Sequence, residues 1–204
     1  MSPQPGMSAQ MSEVRDDGNT PGAVSYTAPF ARPRVRPEKV LRYELSVVAT
    51  DVADMVSGIG GWLFDRAMAG WQVSVAADRE CGDEHALRIL GLKAVDLSGL
   101  WRSAGADAVS MTAIGTDRFE SDDDRLTALR NPGGDVVFFG SRGPGGLGGQ
   151  VHRVQYRPSA AALAFKVHAL AVAGADPGAV GAVETMYRYG RSAGLLDADL
   201  MPVC

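Results

Sequence analysis

Apolar and polar positions alternate in two distinct periods along this chain from residue 40 onward. "VLRYELSVVA" (40–49) is rich in β-branched and apolar residues and predicts a strand that ends at Thr50, a residue suited to cap a helix. Val52, Met55, Val56, Ile59, Leu63 and Met68 then recur at helical spacing, while Asp51, Asp54, Asp65 and Arg66 fall on other faces. That helix is expected to stop near Gly70, and "WQVSVAA" supplies a second strand. Asp83 caps a short helix, "EHALRILGL", and "KAVDL" is a third strand. Strand, helix, strand, helix and strand in about 55 residues leave only short connections. Such spacing favours parallel βαβ crossovers and a sheet covered on both faces.

The alternation continues with a short helix in "SGLWRSAG", a strand in "ADAVSMTAI", a helix in "ESDDDRLTALR" and a turn at "NPGG". "DVVFFG" and "QVHRVQY" read as strands on either side of a glycine-rich stretch. Ser159 begins a nearly all-apolar helix ended by Gly174, and Asp176 with Pro177 starts another through about Tyr189. The fold expected is α/β. It resembles in outline the Rossmann-like and flavodoxin-like class, with a mostly parallel sheet, helices on both faces and a C-terminal helical pair. It occupies residues 39–204 as a single domain. Residues 1–38 are rich in Pro, Gly, Ser, Gln and Met and are expected to form a disordered arm, because they cannot bury enough apolar surface to offset ordering.

A formal charge of −4 argues against a chain-wide nucleic-acid footprint, although "ARPRVRPEK" spaces Arg32, Arg34 and Arg36 along an extended strip. No segment approaches the roughly 20 apolar residues that span a bilayer. Two cysteines, Cys81 and Cys204, cannot make a disulfide framework, so a reducing cytoplasm is expected.

Candidate chemistry begins with "FFGSRGPGGLGGQ" (138–150), where Gly143, Gly145 and Gly148 satisfy G-x-G-x-x-G. A dinucleotide site needs those glycines to open a helix and an acidic residue about 20 positions on. Here a strand pattern follows, and His168 stands where the acid should be. The stretch is therefore read as a mobile, hairpin-like connection in which Arg142 and the backbone of Gly143 and Gly145 are able to meet an anion. At the first strand–helix junction, Thr50, Asp51 and Asp54 sit where an open α/β sheet presents a ligand crevice, though Thr50 as a cap and two first-turn acids are the preferred explanation. Gly58, Gly60 and Gly61 each cost about 0.8–1 kcal/mol in a helix interior. Together they require close packing, a helix break or a ligand. Asp122 to Asp124 suit a helix N-terminus better than a metal, and the three histidines show no ligand spacing, so no metal site and no cofactor are assigned.

No nucleophile–base pair or nucleotide constellation is complete. The main expectation is a non-catalytic regulatory or scaffolding protein, self-associating or binding a protein partner through residues 159–190, with its sheet edge filled by side chains. The alternative is a small enzyme or binding protein for an anionic, phosphorylated or nucleotide-like ligand. Its crevice at the carboxyl edge of the sheet would use Thr50, Asp51, Gly58, Gly60, Gly61, Arg142, Gly143 and Gly145.

Overall fold

The computed structural model describes residues 42–77, 83–102, 108–121, 135–190 and 199–203. The expected arm and the helix "ESDDDRLTALR" lie outside these residues, apart from its first two positions, as do Cys81 and Cys204. Strands β1 (Arg42–Ala49), β2 (Gln72–Ala77), β3 (Lys93–Ala94), β4 (Ala108–Gly115), β5 (Asp135–Phe139), β6 (Val151–Tyr156), β7 (Glu184–Tyr189) and β8 (Met201–Pro202) form one sheet. Its order is β3-β2-β1-β4-β5-β7-β6-β8. The first five strands run parallel, and β7, β6 and β8 extend the sheet antiparallel. An order of 3-2-1-4-5 is the Rossmann-like arrangement, not the flavodoxin-like one.

The helices are α1 (Val52–Met68), α2 (Asp83–Ile89), α3 (Leu97–Arg102), α4 (Thr116–Glu120) and α5 (Ala160–Val172). Successive residues of a strand face opposite sides of the sheet, and β1 shows why its sequence is apolar throughout. Leu45, Val47 and Ala49 join Val52, Met55, Ile59 and Leu63 of α1 and Leu170 of α5 in one core. Val48 points the other way, joining Ala76, Ile114, Val136 and Phe138 beneath Leu100 of α3 and Phe119 of α4. Phe119 and Phe138 meet edge to face at 4.9 Å.

Two expectations about the C-terminal half are corrected. The expected second helix of the C-terminal pair, through Tyr189, is instead a 3-10 turn at Pro177–Ala179 followed by β7. The start signal was real, since Asp176 accepts a hydrogen bond from the Gly178 N–H at 2.8 Å. "ETMYRY" nevertheless alternates, with Glu184 and Met186 buried, and finds antiparallel partners on both sides. For the same reason "FFGSRGPGGLGGQ" is no hairpin: β7 lies between the two strands it joins.

The glycine-rich connection makes several side-chain contacts with α4. The Glu120 carboxylate accepts from Arg142 Nη2 at 2.5 Å and from the Gly145 N–H at 2.9 Å. Thr116 Oγ1 reaches the carbonyls of Phe139 and Arg142 at 3.2 and 3.0 Å. Gly140, at a φ of 145°, supplies the sharp departure from β5 that this requires. No helix among the described residues is long and apolar enough to cross a membrane.

Candidate functional site

Strand order reverses between β1 and β4, which lie side by side although their chain continuations leave toward opposite faces of the sheet. At such a switch point the loops after the two strands diverge and leave a crevice beyond their carboxyl ends. A cleft of about 380 Å³ lies there. Its walls are Ala49 to Asp51 with Asp54, Ser57 and Gly58 from β1 and α1, Gly115 to Arg118 from β4 and α4, and Phe139 to Ser141 from β5.

The α1 wall begins with a cap. Asp51, not Thr50, holds the N-cap position in extended geometry, and its Oδ1 accepts from the Asp54 N–H at 2.7 Å. Asp54 itself is exposed at the cleft mouth, and its carboxylate favours the positive end of the α1 dipole. Across the cleft, Gly115 caps α4 without a side chain, which leaves the first turn of that short helix open. Thr116 is almost fully buried and Asp117 is exposed. Among the described residues the charged lining is Asp51, Asp54 and Asp117 with Arg118.

Of the residues singled out from sequence, Thr50, Asp51, Asp54 and Gly58 come together in this cleft. Gly60 and Gly61 lie one turn deeper, inside the continuous helix α1. A Cβ on Gly60 would stand 3.0 Å from Val56 Cγ1, and one on Gly61 would stand 2.7 Å from Pro158. These two glycines answer to packing. Arg142 turns outward to Glu120, with its side chain 66% exposed, and the Gly143 backbone rests against the Tyr187 ring. Gly145 donates to Glu120. Sequence reasoning missed Ser57, Thr116, Asp117, Arg118 and Ser141. The available signal was positional, because "GTDR" follows the strand "ADAVSMTAI" directly, as "TDVAD" follows β1.

Behind the cleft, α1 is fastened to the corner where β6, α5 and β7 meet. The Asp65 carboxylate accepts from Tyr156 OH at 2.8 Å, the Ser159 N–H at 2.9 Å and Ser159 Oγ at 2.6 Å. Burial, and then the Asp65 hydrogen bond and charge, push the Tyr156 phenol well above its ordinary value of 10.0. One turn earlier, Glu184 accepts from the backbone N–H groups of Gly61 and Trp62, each at 2.8 Å. Its Oε1 also pairs with Lys166 Nζ at 2.6 Å, and both side chains are 1% exposed. Burial pushes the Glu184 carboxyl above its ordinary range, opposed first by the Lys166 charge and then by these hydrogen bonds.

No protein-family model matches the chain, and no curated protein is significantly similar to it in sequence. Solved structures do share the fold. A deacetylase–teicoplanin complex from the teicoplanin biosynthesis pathway aligns with a TM-score of 0.53 at 12% identity, covering 74% of this chain and 99% of that one. The zinc-inhibited form of teicoplanin deacetylase Orf2 gives 0.51 at 11% identity, with coverage of 74% and 99%. The A40926 pseudoaglycone deacetylase Dbv21 gives 0.51 at 14%, with coverage of 74% and 98%. The expected non-catalytic scaffold is overturned by two findings. It required a sheet edge filled by side chains, where the structure has a cleft, and the three solved structures just named as sharing the fold are deacetylases.

Proposed function

We propose that this chain is a small enzyme or ligand-binding protein that takes a small polar molecule into the cleft at the carboxyl edge of its sheet. One observation carries the reading: the cleft stands at the switch point between β1 and β4, where open α/β sheets place their ligands. Hydrolytic removal of an acyl group is the reaction we assign to it. The fold supplies that analogy, and the carboxylates of Asp54 and Asp117 supply groups able to take a proton from water. The described lining sets three carboxylates beside one guanidinium, so a neutral or amine-bearing molecule suits it better than the phosphorylated ligand expected from sequence.

Zinc, which inhibits one of the fold neighbours, does not fit these residues. It favours nitrogen and sulfur ligands, yet His85, His152 and His168 lie on α2, β6 and α5, away from the cleft. Among the described residues, no group of three or more His, Cys, Asp or Glu side chains is placed to hold a metal.

The proposal includes self-association through residues 159–190, in a cytoplasmic setting argued from the cysteine content alone. Ala161, Ala164, Phe165, His168, Ala171 and Val172 are exposed along α5, while Lys166, the helix's one charge, is buried. Sedimentation equilibrium of wild type and Phe165→Glu tests that part, and a wild-type monomer at every concentration removes it. For the cleft, thermal shift is read against nucleotides, phosphorylated metabolites, divalent ions and acylated amines, with acid release followed for the last group. A ligand at 100 times its dissociation constant adds roughly 2.7 kcal/mol. Ligand stabilisation and acid release that both fall in Asp54→Asn and Asp117→Asn support the assignment. A flat screen removes the cleft reading, and stabilisation without acid release removes the enzyme.

A further inference from the structure

Central strands of a sheet covered on both faces are expected to be apolar throughout, and the amino-terminal halves of β1 and β2 are not. Leu45 and Val47 of β1 and Val73 and Val75 of β2 belong to the core shared with α1. Successive side chains alternate, so Glu44, Ser46, Gln72 and Ser74 point to the opposite face. The register sets them side by side. Glu44 pairs with Gln72, and Ser46 with Ser74, which pairs in turn with Lys93 of β3. Farther along the same face the strands turn apolar at Val48 and Ala76, which pack with Leu100 of α3. At a strand spacing of about 4.8 Å, Lys93, Ser74 and Ser46 form a row about 10 Å long, with Glu44 and Gln72 about 7 Å to one side.

A cavity of about 320 Å³ lies here, lined by these five residues and by Trp71 among others. The Trp71 ring is already engaged, by the Arg66 guanidinium at 4.8 Å and the Tyr43 ring at 5.3 Å, so the polar groups decide what enters. Among the described residues, none of the five polar side chains makes a hydrogen bond or ion pair, whereas Thr116, Glu120, Asp65 and Glu184 each hold two or more partners. Their capacity is balanced: Glu44 only accepts, Lys93 only donates, and Ser46, Ser74 and Gln72 do both. The carboxylate opposes an anion and the ammonium a cation. Hydroxyl groups answer all five, because each donates and accepts. We propose that this cavity at the amino edge of the sheet is a second binding site, for a neutral polyhydroxylated molecule of sugar size. A cavity of about 150 Å³ holds one benzene, so there is room for roughly two six-membered rings. The site lies about 17 Å along β1 from the cleft and is independent of the function assigned there.

The test titrates the full ¹⁵N-labelled chain with glucose, maltose, glycylglycine and inorganic phosphate, following amide shifts by NMR. The sugars are expected to shift the amides of Glu44, Ser46, Gln72, Ser74 and Lys93 saturably, while those of Asp54 and Asp117 report the cleft separately. Ser46→Ala and Ser74→Ala are each expected to weaken sugar binding roughly two- to tenfold, the worth of one hydrogen bond. Gln72→Ala, at an exposed position, is expected to do the same and serves where either serine variant does not fold. If neither sugar produces a saturable shift at these amides, the proposal is overturned, whatever happens in the cleft. Saturation here by glycylglycine or phosphate at lower concentration than by the sugars overturns the ligand class. Sugar affinity unchanged in every folded variant overturns the role of the polar row.

Discussion

Replacing Lys166 with methionine removes one charge from the interior and changes little else. The methionine side chain keeps most of the aliphatic stem that Lys166 packs beneath α5, so the cost is electrostatic. Glu184 is left 1% exposed, with two backbone N–H groups and no cation. Breaking a buried pair from one side costs about 3–5 kcal/mol. For a domain of this size, at roughly 2–4 °C per kcal/mol, the melting temperature falls by roughly 6–20 °C. Glu184 has one escape, which is to bind a proton. Its carboxyl already lies above the ordinary 4.5 through burial, and losing Lys166, the largest opposing influence, raises it further. A raised folded-state pKa means that the native variant holds a proton which the unfolded chain has released above about pH 4.5. Stability of the variant therefore declines as pH rises from there, and its deficit against wild type is smallest near pH 4 and largest at neutrality. Urea denaturation at pH 4, 5.5 and 7.5 measures this. A deficit below about 1 kcal/mol at pH 7.5, or one independent of pH, would refute the account of a dry, charged pair.

Gly61→Ala is expected to destabilise by about 1–3 kcal/mol through contact with Pro158, whereas Gly58→Ala, whose Cβ would meet nothing nearer than 3.9 Å, gains up to about 1 kcal/mol of helix propensity. Equal effects in thermal melts would contradict the packing described. The raised Tyr156 phenol keeps its proton in the native state while the unfolded chain loses it above pH 10.0, so stability falls as pH rises beyond that point. Tyr156→Phe flattens the profile in that window, and an unchanged slope speaks against the Asp65 contact. Thr116→Val orphans two loop contacts at a nearly buried position and costs about 1–3 kcal/mol. Glu120→Gln loosens the hold on Arg142 and Gly145, so amide exchange between residues 140 and 149 quickens while the β1 amides keep their protection.

The parallel half of the sheet was legible because strands buried on both faces leave continuous apolar runs, and α1 and α5 because their apolar positions keep a helical period. The segment 177–190 was misread for a physical reason. A cap and a proline announce the first turn of any helix, and only the two-residue alternation of "ETMYRY" records that a strand follows. That alternation means little without a partner, and the partners β5 and β6 lie in other parts of the chain. The cleft was half legible on the same principle. Its β1 wall sits beside an obvious cap, but Thr116, Asp117 and Arg118 matter only because β4 is inserted beside β1, and adjacency in a sheet is not written locally.

The glycines of α1 show what a local sequence does transmit. Three glycines in one helix signal that something must come close, and the signal was correct in kind. Gly61 is met by a carboxylate and a proline more than ninety residues away, neither of which carries any mark of that meeting in its own sequence context. Glu184 would pass as a solvated charge at a strand start and Lys166 as an ordinary helical lysine. Only their shared burial reveals that each is tolerated because of the other, and that both depend on a position in α1 without a side chain. The dependence runs in one direction. A Cβ at residue 61 would crowd the carboxylate that pairs with Lys166. The buried pair is thus built around the glycine, so the variant that most directly tests it is at a residue without a side chain.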